Sequence, residues 1–256
     1  MAVTAQIQSI YRYPVKGLSP ERLTRAHLKA GEYFPGDRLF AIENGPSGFD
    51  AANPEHQPKI KFLMLARNER LATLRTRYED ATGTLAIKQN SRTAVRADLA
   101  TKEGRLAVEA FFRRFMPADL RGPPKVLAAP TGYRFTDSRS GFVSIINLAS
   151  VAAIETVLGV PVHPLRFRGN LFVGGWPAWH ELDLVDREIA IGDVRLKVTK
   201  RIVRCAAINV DPDTGARDLT IPATLMQTFD HMDCGIYAQV IAGGDIAAGD
   251  AITINR

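Results

Sequence analysis

Short runs of alternating hydrophobic and polar residues recur along the chain, and they predict a protein built mainly of β-strands. The predicted strands lie at residues 6–13, 38–42, 63–66, 71–74, 84–87, 141–147, 166–173, 194–199, 235–241 and 250–254. Only three segments have the spacing of helices. Many short strands with few helices favour an antiparallel β-barrel architecture over a doubly wound parallel sheet.

The helical segments are predicted from their apolar spacing and their end signals. In residues 103–115, Leu106, Ala110 and Phe111 are spaced to form one face, and Thr101 stands where a capping residue begins a helix. The other two predicted helices cover residues 149–158, which a glycine follows, and residues near 219–229.

The length of 256 residues allows one large domain or two smaller ones. The segment with the clearest linker composition is Arg121-Gly122-Pro123-Pro124. Because domain boundaries favour such stretches, we expect one domain at residues 1–120 and a second at residues 125–256.

Composition and charge narrow the class of protein. Hydrophobic residues make up 46% of the chain and charged residues 23%, as in ordinary soluble proteins. No apolar run approaches the roughly 18 residues that a membrane helix needs, and the first residues lack the apolar core of a signal peptide. The net charge of +6 suits anionic partners, but the cations are dispersed along the chain. We therefore expect a cytoplasmic protein that binds neither membrane nor nucleic acid.

The most informative cysteine follows a strand whose alternation is interrupted. Residues 194–199 alternate, the pattern fails at Lys200-Arg201, and it resumes with Ala206, Ile208 and Val210 on one face. Such a break predicts a β-bulge, which re-aims side chains. It places Cys205 beside Arg201 and Arg204, and neighbouring cations favour the thiolate, the form that acts as nucleophile or metal ligand. The alternative is a buried structural cysteine next to a solvated basic strand edge.

Other candidate residues are isolated cations at turns and strand edges. Pro14 and Gly17 predict a loop that presents Lys16, and Pro35-Gly36 predicts a turn before Arg38. Arg166 and Arg168 belong to a basic predicted strand. Each cation alone is typical of a solvated surface, but together they favour a phosphorylated, polyanionic cofactor between the two halves of the chain. The sequence of residues 211–215 predicts a turn.

The second cysteine is Cys234. We expect it in a loop or at a strand edge, and the alternative is a second reactive thiol.

These residues carry a family resemblance. Residues 200–215, KRIVRCAAINVDPDTG, resemble the cysteine-centred signature of MOSC (molybdenum cofactor sulfurase C-terminal) domains. Further segments resemble other parts of the same family, namely RFRGN at 166–170, WHE at 179–181 and IGD at 191–193. YPVK at 13–16 and GDRL at 36–39 are similar to the N-terminal β-barrel domain that precedes MOSC in mitochondrial amidoxime-reducing components. The resemblance covers nearly the whole chain and implies two β-barrel parts.

The resemblance also implies a cofactor and its contacts. It implies a molybdenum cofactor, molybdopterin. The Cys205 thiolate is then expected to bind the molybdenum and to act as the catalytic residue. Lys16 and Arg38 are then expected at the pterin phosphate, and further cofactor contacts are expected from Asn147, Ser150, Arg166, Arg168, Asn170 and Arg204. Gly17 and Val203 stand where relatives often carry serine, and His180 stands where an acidic residue is usual.

The implied function is a molybdenum-dependent oxidoreductase that reduces N-hydroxylated or related N–O and S–O small molecules. The chain ends at Arg256 without the iron–sulfur domain of some bacterial relatives. Electrons are therefore expected from a separate ferredoxin- or cytochrome-type protein. The first alternative is a carrier of sulfur or of molybdenum cofactor, in which Cys205 bears a persulfide. The second alternative is a basic binding protein without a cofactor.

Overall fold

The computed structural model describes residues 4–139 and 142–254. This part of the chain forms three helices, α1 (Lys102–Phe115), α2 (Leu148–Leu158) and α3 (Ile221–Phe229). Its strands, in chain order, are β1 (Ala5–Arg12), β2 (Glu21–Leu23), β3 (Arg25–Leu28), β4 (Phe40–Asn44), β5 (Arg75–Glu79), β6 (Thr84–Gln89), β7 (Arg92–Asp98), β8 (Pro124–Ala128), β9 (Val143–Asn147), β10 (Leu171–Gly174), β11 (Glu188–Ile191), β12 (Val194–Val203), β13 (Asp233–Ala242), β14 (Gly244–Ala247) and β15 (Ala251–Ile254).

Seven of these strands close into a barrel. Around the barrel they follow the order β1, β10, β9, β13, β12, β11 and β15, and β15 pairs again with β1. The β9–β10 pair is parallel, the other pairs are antiparallel, and β2 extends the sheet from the edge of β1. The predicted mainly β, barrel-forming architecture with few helices is confirmed.

The barrel closes because alternate residues fill its interior. In β12, Val194, Leu196 and Val198 are fully buried, while the residues between them face outward. Ile7 of β1 and Ile252 of β15 join the same apolar cluster. Burial of each such side chain contributes roughly 1.5–3 kcal/mol, so the period-two pattern of the sequence specifies which face of each strand points inward.

The two halves of the sequence are interleaved in space. β1 is a barrel strand, and β3 pairs with β14 near the end of the chain. Conversely β8, which follows the predicted linker at residues 121–124, pairs with β4 of the first half. The predicted division at residues 120 and 125 stays a prediction, and strand pairs cross it in both directions.

A three-stranded meander, β5-β6-β7, forms a second layer with α1 packed beside it. The predicted helix and its cap are present, since the Gly104 amide donates to the Thr101 hydroxyl at 3.0 Å. Its buried face differs in part from the prediction. Phe111 is buried as predicted, but Leu106 is exposed, and Phe112 and Phe115 are buried in addition, against the meander and β8. Three aromatic rings bury more apolar area than one leucine, and they orient the helix.

Four predicted strands differ from the structure. Residues 63–66 form a turn, because the Met64 amide donates to the Asn68 side chain, and the helical turn Glu69–Thr73 takes most of residues 71–74. Leu63, Leu71 and Leu74 are nevertheless core residues. The predicted strand 166–173 is reduced to β10, since Pro164–Phe167 is a short helical turn and Arg168 has a positive φ of 52°. The strand predicted for 141–147 starts at Val143, and Gly141 lies outside the described residues.

Within residues 4–139 and 142–254, none of the helices combines the length and the apolar character needed to cross a membrane.

Candidate functional site

A cavity of about 340 Å³ lies between the end of β12 and the loops of the N-terminal half. Seven of the nine predicted site residues line it, namely Lys16, Arg38, Arg166, Arg168, Asn170, Arg204 and Cys205. Asn147 and Ser150 are not among its lining residues. The lining therefore combines one thiol with an excess of cations.

Cys205 sits directly after β12, where the pairing of that strand with β13 is irregular. The register shifts between Val198 and Lys200 and again between Arg201 and Val203. The predicted bulge is thus present, and it turns the chain so that the Cys205 side chain, which is partly exposed, reaches the cavity. The sequence beyond it does not resume a strand. Residues Ala206–Asn209 form a short helical turn, and the Ile221 amide donates to the Asn209 side chain at 2.9 Å.

The cation that contacts Cys205 is one that the sequence pattern does not indicate. The ammonium of Lys59 donates to the Cys205 sulfur at 3.2 Å. Lys59 belongs to the short helical turn Lys59–Lys61 of the N-terminal half. No local motif marks this lysine, so only the folded chain shows that the sulfur lies at the junction of the two halves.

The two arginines expected beside the thiol have other partners. Arg204 is buried and its Nη1 donates to the Phe167 carbonyl at 2.9 Å, while its Nε donates to the Cys234 carbonyl at 2.6 Å. Arg201 donates to the Leu182 carbonyl at 3.0 Å. Both residues line the cavity, but their described hydrogen bonds go to the backbone and not to Cys205. Arg204 therefore anchors the chain next to Cys205 to β13 and to the Pro164–Phe167 turn.

Lys16 lies within the protein, although its loop position predicts a solvated charge. Only 6% of the residue is exposed. Its ammonium donates to the Phe135 carbonyl at 3.0 Å and pairs with the carboxylate of Asp137. Burial lowers the pKa of Lys16, and Asp137 opposes that effect. A buried cation of this kind gains from any anion that enters the cavity.

Arg38 and Arg168 are held around one aromatic ring. The guanidinium carbons lie 4.4 Å and 4.3 Å from the centroid of the Tyr13 ring. Asp37 pairs with Arg38 and accepts a hydrogen bond from the Tyr13 amide at 2.7 Å. Burial, together with the charge of Arg38, lowers the pKa of Arg168 to about 10. Burial likewise raises the pKa of Tyr13 to about 12, and its hydroxyl has no hydrogen-bond partner among the described residues.

Arg166 and Asn170 line the cavity but are braced by the fold. The Arg166 guanidinium bonds to Asp218 at 2.8 Å and to Asp211 at 3.1 Å, which ties it to the turn after Cys205. In that turn, the Asp211 carboxylate accepts from the Thr214 amide at 2.8 Å, as its predicted turn role requires. Asn170 is buried and accepts hydrogen bonds from the Ser144 amide and hydroxyl. Both residues therefore shape the cavity wall.

Asn147 and Ser150 lie elsewhere, around a buried carboxylate. Both donate to one oxygen of Glu181 at 2.9 Å, and all three residues are fully buried. Asn147 also caps α2, since its side chain accepts from the Ala149 amide at 3.1 Å. Its side chain thus serves the helix and Glu181 and does not line the cavity.

Cys234 is the second thiol, and it is fully buried in β13. Burial raises its pKa to about 12, which favours the protonated thiol at neutral pH. This burial argues against the alternative of a second reactive thiol.

Comparison with known proteins finds a family model for each half of the sequence. The family model described as "MOSC domain" matches residues 132–253, and the model "MOSC N-terminal beta barrel domain" matches residues 4–118. The chain belongs to the MOSC domain proteins and carries the MOSC N-terminal beta barrel domain as well.

Curated relatives match over part of their length. The "Mitochondrial amidoxime reducing component 2" of Bos taurus is 32% identical over 43% of this chain and 36% of its own length. The "Molybdenum cofactor sulfurase" of Caenorhabditis elegans is 34% identical over 40% of this chain and 15% of its own length. The match thus spans about a third of the bovine protein. Among solved structures, the YUAD protein from Bacillus subtilis aligns with 99% of this chain and 97% of its own at 13% identity, with a TM-score of 0.47.

The cavity residues fit a phosphorylated cofactor with a soft metal. Cys205 provides the kind of sulfur ligand that soft metals prefer, and the described residues contain no cluster of three His, Cys, Asp or Glu side chains that could form a separate metal site. Lys16, which is buried, and Arg38 and Arg168, which are partly buried, provide positive charge. Gly17 adjoins Lys16 with a positive φ of 82°, and a Cβ there would lie 2.9 Å from the Leu63 carbonyl oxygen. The serine found in relatives is therefore disfavoured at this position by the backbone itself.

Proposed function

We propose that this protein binds molybdenum cofactor in the cavity and acts as a reductase of N-hydroxylated or related N–O and S–O small molecules. The observation that carries the proposal is the meeting, in one cavity, of the partly exposed Cys205 thiol with buried cations from both halves of the chain. The amidoxime-reducing name of the bovine relative supports a reductase, and the cofactor-sulfurase name of the nematode relative supports an association with molybdenum cofactor.

The residues that would hold the cofactor divide into two groups. Cys205 would bind the metal through its sulfur, and Lys16 with Arg38 would bind the phosphate through their N–H donors. Arg168 adds positive charge around Tyr13, on the same side of the cavity as Arg38. When bound, the cofactor supplies two-electron oxygen-atom transfer, which side chains cannot perform.

The chain itself has three tasks in this proposal. The bulge of β12 and the buried Arg204 fix the position of Cys205, so that its sulfur is placed before any ligand arrives. Lys59, from the N-terminal half, donates a hydrogen bond to that sulfur and thereby links the two halves of the chain at Cys205. The buried cations neutralise the phosphate, whose charge would otherwise oppose its transfer from water.

We also propose that electrons come from a separate protein of ferredoxin or cytochrome type, and that the protein works in the cytoplasm. Cys205 and Cys234 are both free in the structure, as is usual for proteins of a reducing compartment.

The second candidate is a sulfur or cofactor carrier in which Cys205 bears a persulfide. The likeness to the nematode cofactor sulfurase favours it, as does the exposure of Val203 beside the thiol, where another protein could approach.

Both candidates are tested with protein purified from cells that make molybdopterin. The reductase requires close to one molybdenum and one pterin per chain, with an absorption band that the Cys205→Ser variant lacks. The sulfur carrier instead requires cyanide-labile sulfur on Cys205 without stoichiometric metal. Protein with neither metal nor labile sulfur contradicts both candidates and leaves the cofactor-free binding protein.

A further inference from the structure

Two carboxylates are among the described residues that line the cavity, and they differ in how firmly they are held. Asp37 is 4% exposed, accepts from the Tyr13 amide and pairs with Arg38. Asp137 has a side chain that is 51% exposed, and its described partner is the Lys16 ammonium. Asp37 is therefore fixed by the backbone as well as by its cation, whereas Asp137 is half exposed to water and is held by its ion pair with Lys16.

Lys16, unlike Asp137, is nearly fully buried, so its ammonium cannot move into water. Its side chain is 7% exposed, the Phe62 ring lies 5.8 Å from its nitrogen, and the Phe135 carbonyl holds it. A buried ammonium needs an anion close by. In the structure that anion is Asp137, in the same cavity where the proposed function places a phosphate.

We propose that Asp137 competes with the phosphate group for Lys16 and thereby limits how tightly the cavity holds a phosphorylated ligand. The inference rests on the proposed function for the presence of a phosphate. Whether the carboxylate stays or moves into water, its negative charge opposes a second anion at the same ammonium. Asp137 then weakens the binding of the phosphate group. A ligand that is held by several cations can therefore still be released.

The charge of Asp137 can be removed without changing its size. Removing one charged group that competes for Lys16 corresponds to about a tenfold change in the affinity for phosphate. Asp137→Asn is therefore expected to bind inorganic phosphate about tenfold more tightly than the unaltered protein. Asp245→Asn is the matched control, because it changes the net charge equally at an exposed residue of β14 outside the cavity lining. Asp137→Ser repeats the removal with a different side chain and should shift affinity in the same direction.

The measurement is a thermal-unfolding titration of full-length, cofactor-free protein with sodium phosphate at constant ionic strength, made up with sodium chloride. The dependence of the midpoint on phosphate gives the dissociation constant irrespective of each variant's starting stability. The expected result is tighter binding for both Asp137 variants, no change for Asp245→Asn, and loss of the response for Lys16→Ala.

Two results would overturn the inference, and they are distinguishable. If Lys16→Ala loses the response but the Asp137 variants match the unaltered protein, Asp137 does not compete, and the phosphate contact of the proposed function stands. If Lys16→Ala responds like the unaltered protein, phosphate does not bind at Lys16, and that contact fails together with the inference.

Discussion

The ammonium of Lys59 lies 3.2 Å from the sulfur of Cys205, although 146 residues separate them in the chain. The two residues come from different halves of the sequence, and each half contributes one wall of the cavity. Any function of the thiol therefore depends on both halves being folded against each other. The predictions below follow from this arrangement.

The two thiols should differ sharply toward alkylation. Iodoacetamide at pH 8 is expected to label Cys205 only, because Cys234 is fully buried with a pKa raised to about 12. Intact-mass spectrometry should show one adduct on the folded protein and two after denaturation in guanidinium. Two adducts on the folded protein would contradict the burial of Cys234.

Replacing Cys205 should remove the metal without unfolding the protein. Cys205→Ser changes little volume at a partly exposed position, so the melting temperature should shift only slightly, while molybdenum content and reductase turnover should fall to background. Cys234→Ser is the control. It places a hydroxyl in an apolar cluster and should lower stability by about 1–2 kcal/mol while leaving the metal content per folded chain unchanged. Normal molybdenum content and full turnover in Cys205→Ser would refute the ligand assignment.

Lys16→Ala and Arg38→Ala should both lower cofactor occupancy, by about ten- to a hundredfold at limiting cofactor. Their effects on folding should differ. Lys16→Ala leaves behind the half-exposed Asp137 rather than a buried charge, so the free energy of unfolding should fall less than in Arg38→Ala. Arg38→Ala leaves the buried Asp37 without its cation and should cost about 3 kcal/mol. Urea denaturation of the cofactor-free variants measures the difference, and equal stabilities would show that Asp37 does not depend on Arg38.

Asn147→Ala tests whether that residue binds ligand or supports the fold. The change removes the cap of α2 and one donor to the buried Glu181, so the free energy of unfolding should fall by about 2–3 kcal/mol. Cofactor content per folded chain should stay normal in cells grown at a permissive temperature. A stable Asn147→Ala variant with little cofactor would return the residue to the binding site.

Turnover should require a separate electron donor. The sequence carries no dinucleotide fingerprint and no four-cysteine cluster. Activity should appear only when donor and donor reductase accompany NADH, and it should fall steeply with added salt if an acidic donor docks on a protein of net charge +6. Multiple turnovers with NADH alone would reveal a redox site within the chain.

Local patterns predicted the elements that depend on neighbouring residues. The alternation of β12, its bulge and the two capped helices are all visible in the sequence, because strand period and capping are local physics. The incorrect predictions concern elements whose conformation is determined by tertiary packing. Leu71 and Leu74 look like strand residues, yet they reach the core from a helical turn and the residue after it.

The candidate site divides in the same way. Cys205 and the cations at tight turns could be predicted, because a bulge and a Pro-Gly turn can each be recognised from neighbouring residues in the sequence. Lys59 and Asp137 have none, because each meets its partner only through the folded chain, across 146 and 121 residues respectively. Asn147 was associated with the cofactor by resemblance alone, and its hydrogen bonds to Glu181 depend on a contact that spans 34 residues.

The pairing of β1 with both β10 and β15 has a consequence for how the protein is made. Synthesis produces β1 first and its partner β15 last, so the earliest strand must wait for nearly the whole chain before the ring of strands can close. Contacts so distant in sequence form slowly, and until they form, the edges of β1 are open to pairing with other chains. Low temperature or slow expression should therefore favour soluble protein. Stable binding of a cofactor is therefore expected only after β15 has paired with β1.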